Sequence, residues 1–210
     1  MPRTGTCASV KPQSRMEASV SEIVAKRIGS PWRIIGWGTA VALLIAPFVA
    51  MQLHAEGVDW SGGDFAFAGA IFGVAGGLLE LAVWKMRSGL YRAGVAVALL
   101  GYLLVVWTNL AVGIVGSEHN PANQLFFAAL LIGAAGACVA RFRAKGMAYA
   151  MLAAAASLLV AFAIASAGST DGPLVKHGVE LAGTSIFAAL LLGSAWLFRR
   201  AALSQSSSSS

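Results

Sequence analysis

Fourteen of the fifteen Lys and Arg residues in this chain fall in alternate gaps between six long apolar stretches, and that asymmetry constrains the fold more than any other feature. The stretches run from Ile34 to Leu53, Phe65 to Trp84, Ala93 to Val115, Leu125 to Ala140, Met147 to Ala167 and Val179 to Phe198. A helix needs about 20 apolar residues to cross a hydrocarbon core of about 30 Å, so each stretch is long enough to span a bilayer or nearly so. The cations sit in the N-terminal tail (Arg3, Lys11, Arg15, Lys26, Arg27, Arg33), the second loop (Lys85, Arg87, Arg92), the fourth loop (Arg141, Arg143, Lys145) and the C-terminal end (Arg199, Arg200). Only Lys176 falls on the other side. Basic loops stay cytoplasmic, so the expected fold is all-α: a polytopic membrane protein of six transmembrane helices with both termini inside. Because the loops are short, sequence neighbours should be antiparallel neighbours in space, giving three hairpins.

Composition excludes the ordinary soluble classes. The chain is 58% hydrophobic and 11% charged with mean hydropathy +0.74, against a charged fraction of about 25% in soluble domains. A net charge of +6 and a pI near 9.8 would suggest nucleic acid in a soluble protein. Here bilayer-length segments interrupt the cations, which serve orientation, so the expected partners are membrane lipids and no nucleic acid. Cys7 and Cys138 both fall on the reducing side and offer no disulfide or C-x-x-C pattern.

Residues 1–30 mix Pro, Gly, Ser and scattered charges and read as a flexible cytoplasmic tail, with a short amphipathic helix from Ala18 to Ile28. The apolar run that follows is too long for a signal-peptide core and reads as an uncleaved anchor. Residues 31–201 form the six-helix transmembrane domain, and residues 202–210, nearly all Ser at their end, should be disordered.

Helix 2 carries Gly69, Gly73 and Gly77 at spacings of four. Such a stripe lets another backbone approach where hydrophobic exclusion does not drive helices together, so it is expected to be a packing face, at the bundle centre or in a homo- or hetero-oligomer. Helix 4 offers Ala129, Gly133 and Gly136 or Ala137 as a similar face, and Pro47 should kink helix 1.

Glu80 is the one acidic residue well inside a span. It reads either as an ion pair with Lys85, Arg87 or Arg92, or as a proton or cation relay, because an unpaired carboxylate in lipid is costly. Asn109 and Thr108 in helix 3, with Thr184 and Ser185 in helix 6, fit interhelical hydrogen bonds. The outer loops hold Glu56, Asp59, Asp64, Glu118, Asp171 and Glu180 with His54, His119 and His177; ordinary solvated loops and a divalent-cation site are both compatible with that set. Asn120 is a good N-cap, Pro121 fits a first helical position, and Glu118 stands near the positive end of the helix they open.

The run from Trp107 through Thr108, Asn109, Ala111, Val112, Gly113, Ile114, Val115, Gly116, Ser117, Glu118, His119, Asn120, Pro121 and Ala122 to Asn123 is the most distinctive in the chain. Ala140 to Met147 and Gly193 to Arg199 extend the pattern. It resembles an uncharacterised family of small bacterial inner-membrane proteins over most of residues 59–200, in which Asp commonly stands where this chain has His119. The resemblance implies a bacterial cytoplasmic-membrane location and supplies no catalytic residues.

No nucleophile, acid/base pair or metal constellation stands out, so no enzymatic activity and no cofactor are expected. An integral structural or accessory membrane protein needs only a stable bundle, a glycine face and charged ends. The alternative is a small-solute or ion transporter, proton-coupled in one version, that uses Glu80 and Asn109.

Overall fold

The computed structural model describes residues 31–54, 59–116, 120–168 and 174–206, and all regular structure among them is helical. The helices are α1 (Pro31–Gln52), α2 (Gly62–Lys85), α3 (Gly89–Ala111), α4 (Gln124–Val139), α5 (Ala144–Gly168) and α6 (Leu174–Ser206), with a single 3-10 turn at Pro121–Asn123. Among the described residues six helices are long and apolar enough to cross a membrane. The expectations for tail 1–30, Glu56, Glu118, His119, Asp171 and the last four serines lie outside the described residues.

Polar residues set the helix starts. Ser61 and Asp64 cap α2 reciprocally: the Ser61 N–H donates to Asp64 Oδ2 at 2.7 Å, and the Asp64 N–H donates to Ser61 Oγ at 3.3 Å. Ser88 caps α3 by accepting from the Tyr91 N–H at 3.3 Å. Helix α1 is continuous through Pro47. Helix α6 runs on to Ser206, past the boundary expected at 201.

The chain forms two compact units, residues 1–76 and 77–210. In the first, α1 and the larger part of α2 run antiparallel. The Trp37 ring lies over Gly76, where a Cβ would come within 2.9 Å of it, and Phe48 meets Phe65 edge-on at 6.5 Å.

In the second unit α5 lies between α4 and α6, and α3 packs along α6. A Cβ at Gly94 would come within 3.1 Å of Phe198 and one at Gly101 within 3.2 Å of Leu191, which fixes an antiparallel register for α3 and α6. Gly136 against Ala150 and Gly133 against Ala154 and the Tyr102 hydroxyl do the same for α4 and α5. Ala154, Leu158, Leu191 and Phe198 are fully buried at the heart of this core. Small residues dominate because dispersion contacts, which need close approach, must hold helices that are apolar on every side.

A Cβ at Gly69, Gly73 or Gly77 would meet nothing within 4 Å among the described residues. The close approaches fall instead at Gly76, Gly94, Gly101, Gly133 and Gly136. Helix α3 also takes α6, not its sequence neighbour α4, as its main partner.

Candidate functional site

The motif that stands out in the sequence folds into a polar junction between α3 and α4. Helix α3 stops at Ala111, four residues short of the expected Val115. The backbone leaves the helix at Gly113, whose φ of +75° lies in the left-handed region that glycine tolerates. The N–H groups of Ile114 and Val115, freed from the helix, both donate to Asn123 Oδ1, at 3.1 and 3.0 Å. Asn109 donates through Nδ2 to the Asn123 carbonyl oxygen at 2.9 Å. Asn120 Oδ1 accepts from the Ala122 N–H at 3.0 Å, with Pro121 at the first position of the 3-10 turn. Gly116, with φ of +76°, donates its N–H to Glu180 Oε1 on α6 at 2.9 Å.

Asn109 and Asn123 are buried. Asn109 Oδ1 is enclosed and has no hydrogen-bond partner among the described residues. The register of α3 on α6 carries Asn109 to the level of Gly183 and Thr184. Thr184 is fully buried and donates to the Glu180 carbonyl oxygen at 2.9 Å. Glu80, the other candidate, is half-buried in the last turns of α2 and engaged by a neighbour.

At the opposite end of the second unit a second constellation forms around Tyr91. Its hydroxyl donates to the Phe142 carbonyl oxygen at 2.6 Å, and its ring meets Phe198 edge-on at 5.0 Å. One side chain therefore joins the start of α3, the α4–α5 turn and the end of α6. Ser194 adds a second tie, donating to the Gly94 carbonyl oxygen at 2.8 Å. Arg92 Nε donates to the Met86 carbonyl oxygen at 2.8 Å, and the Arg200 guanidinium lies over the Trp196 ring at 5.1 Å.

Among the described residues no three His, Cys, Asp or Glu side chains form a group able to hold a metal. Sequence reasoning singled out Asn109 and Asn120 but missed Asn123 as the hub and Tyr91 as the tie. The signal for Asn123 was present: an Asn three residues after an N-cap, with a helix end and two glycines just upstream. Comparison of the chain with family profiles, with curated proteins and with solved structures found no match.

Proposed function

We propose that this is an integral structural or accessory membrane protein, with six spans and both termini on the cytoplasmic side. One observation carries the reading. The four buried polar residues among the described core, Asn109, Asn123, Thr184 and Ser194, all bond to main-chain groups. Polar groups that line a transport path stay available to a solute, whereas these act as struts between helices and loops. The basic gaps between spans support the sidedness, and the resemblance of the Trp107–Asn123 motif supports a bacterial cytoplasmic membrane. The open Gly69, Gly73 and Gly77 stripe is the surface on which a second chain of this protein or another would pack.

A second reading, transport of a small solute or ion through Glu80 and Asn109, is favoured by the enclosed, unpartnered Asn109 Oδ1. Proteoliposomes separate the two. The structural reading expects no proton-driven uptake and no change on Glu80→Gln or Asn109→Leu; uptake abolished by either substitution would replace it with the transporter. Sidedness is tested with Cys7 and Cys138 replaced by Ser. In intact cells an impermeant maleimide should label Asp59→Cys and leave Arg143→Cys untouched, and the reverse pattern would invert the topology.

A further inference from the structure

The α4–α5 turn adopts a conformation that its residues do not favour. Arg141 and Phe142 are consecutive non-glycine residues with φ of +50° and +57°. Side chains seldom sit there, and such a pair persists only where its surroundings hold it. The Tyr91 hydroxyl on the Phe142 carbonyl does so from below. The Phe142 N–H to Ala137 carbonyl bond at 3.1 Å and the Arg143 N–H to Ala140 carbonyl bond at 3.0 Å close the turn. The result is outward presentation: Arg141, Phe142 and Arg143 are all exposed, an aromatic ring between two guanidinium side chains.

The same Tyr91 ring touches Phe198, and exposed Arg199 and Arg200 follow Phe198 directly. With Lys85, Arg87, Arg92 and Lys145 this end carries eight cations, and Glu80 is the one carboxylate within residues 77–112, 137–168 and 185–206. Beside the turn, Val139 is 85% exposed and Ile132, seven residues earlier on the same face of α4, is 49% exposed. A cationic turn at the head of an open apolar track matches a molecule with an anionic head and a hydrocarbon tail. A soluble anion would leave the track unused.

We propose that the Arg141–Phe142–Arg143 turn binds the phosphate headgroup of an anionic phospholipid whose acyl chain lies along Val139 and Ile132. Guanidinium forks match phosphate oxygens in pairs, and the Phe142 ring sits at the boundary between head and tail. The proposal rests on the reading that the spans lie in a bilayer with their basic ends at one face.

The test titrates the full chain, in neutral detergent, with phosphatidylglycerol, with phosphatidylcholine of the same chains and with inorganic phosphate, following melting temperature and lipid binding by native mass spectrometry. Phosphatidylglycerol should raise the melting temperature and bind about tenfold tighter than phosphatidylcholine, with phosphate alone inert. Arg141→Gln with Arg143→Gln should remove that preference, while Lys85→Gln with Arg87→Gln, an equal loss of charge, should weaken binding by about twofold at most. Both pairs are exposed, so both variants should melt near the parent temperature without lipid; Arg141→Lys with Arg143→Lys, which keeps the charge, should retain part of the preference. Equal binding of the two lipids, equal loss in the two Gln variants, or a full shift from phosphate alone would overturn the site. Detergent has no sides, so this outcome is independent of the maleimide result.

Discussion

Asn109 on α3 and Asn123 at the start of α4 are joined by a 2.9 Å hydrogen bond from the Asn109 side chain to the Asn123 main chain, while the Asn123 side chain holds the N–H groups of Ile114 and Val115. The segment between the two helices is thereby wrapped around one buried amide. Where little water competes, every freed backbone group needs an internal partner, and Asn123 Oδ1 serves two at once.

Asn123→Ala should therefore strand two buried donors and lower stability by about 2–6 kcal/mol, since each unsatisfied buried group costs about 1–3 kcal/mol. Asn120→Ala removes only a cap to Ala122 and should cost about 1 kcal/mol. Thermal or denaturant unfolding in detergent checks the order; equal losses would mean that Asn123 is not the hub.

Glu180 receives the Gly116 N–H through one carboxylate oxygen. Glu180→Gln keeps an acceptor at that place and should leave the melting temperature nearly unchanged, whereas Glu180→Ala should cost about 1 kcal/mol. If Gln and Ala variants melt alike, the contact contributes nothing.

Gly133 has no room for a methyl group, because a Cβ there would collide with the Tyr102 hydroxyl and lie 2.7 Å from the Ala154 Cβ. Gly133→Ala should destabilise by about 1–3 kcal/mol through overpacking. Gly69→Ala, where a Cβ meets open space, should lie within about 0.5 kcal/mol of the parent, as surface substitutions do. Gly69→Leu should change the state of assembly in native mass spectrometry without lowering monomer stability, because no described residue lies within 4 Å of a Cβ there and a second chain packed on the stripe would feel the added bulk.

Tyr91→Phe keeps the ring against Phe198 and removes the hydroxyl that holds the Phe142 carbonyl. The expected loss is about 1 kcal/mol. Hydrogen exchange should accelerate at the Phe142 and Arg143 amides and stay unchanged at the α4–α5 crossing. Unchanged exchange in the turn would show that the left-handed pair stands without Tyr91.

Most of the helix inventory was legible because it depends on local properties. Boundaries expected at Phe65 and Trp84 compare with α2 at Gly62–Lys85, and those at Leu125 and Ala140 with α4 at Gln124–Val139. The end of α3 was missed by four residues: Ile114 and Val115 were apolar enough to read as span. The segment leaves the helix at Gly113, and Asn123, eight or nine residues on, supplies the acceptor for both freed N–H groups. Spacing such as that of Gly69, Gly73 and Gly77 reveals that a backbone can be approached and says nothing of which neighbour arrives.

The order of apolar stretches and basic gaps by itself determined that this chain makes six membrane-length helices, because length and hydropathy belong to each segment alone. Which helix takes which partner, the α3–α6 pairing above all, was decided only in the tertiary structure. A helix that is apolar all round carries no stripe to announce its inward face, so partner choice fell to the close approaches at Gly94, Gly101 and Gly133 and to long-range bonds such as Tyr91 to Phe142 and Ser194 to Gly94.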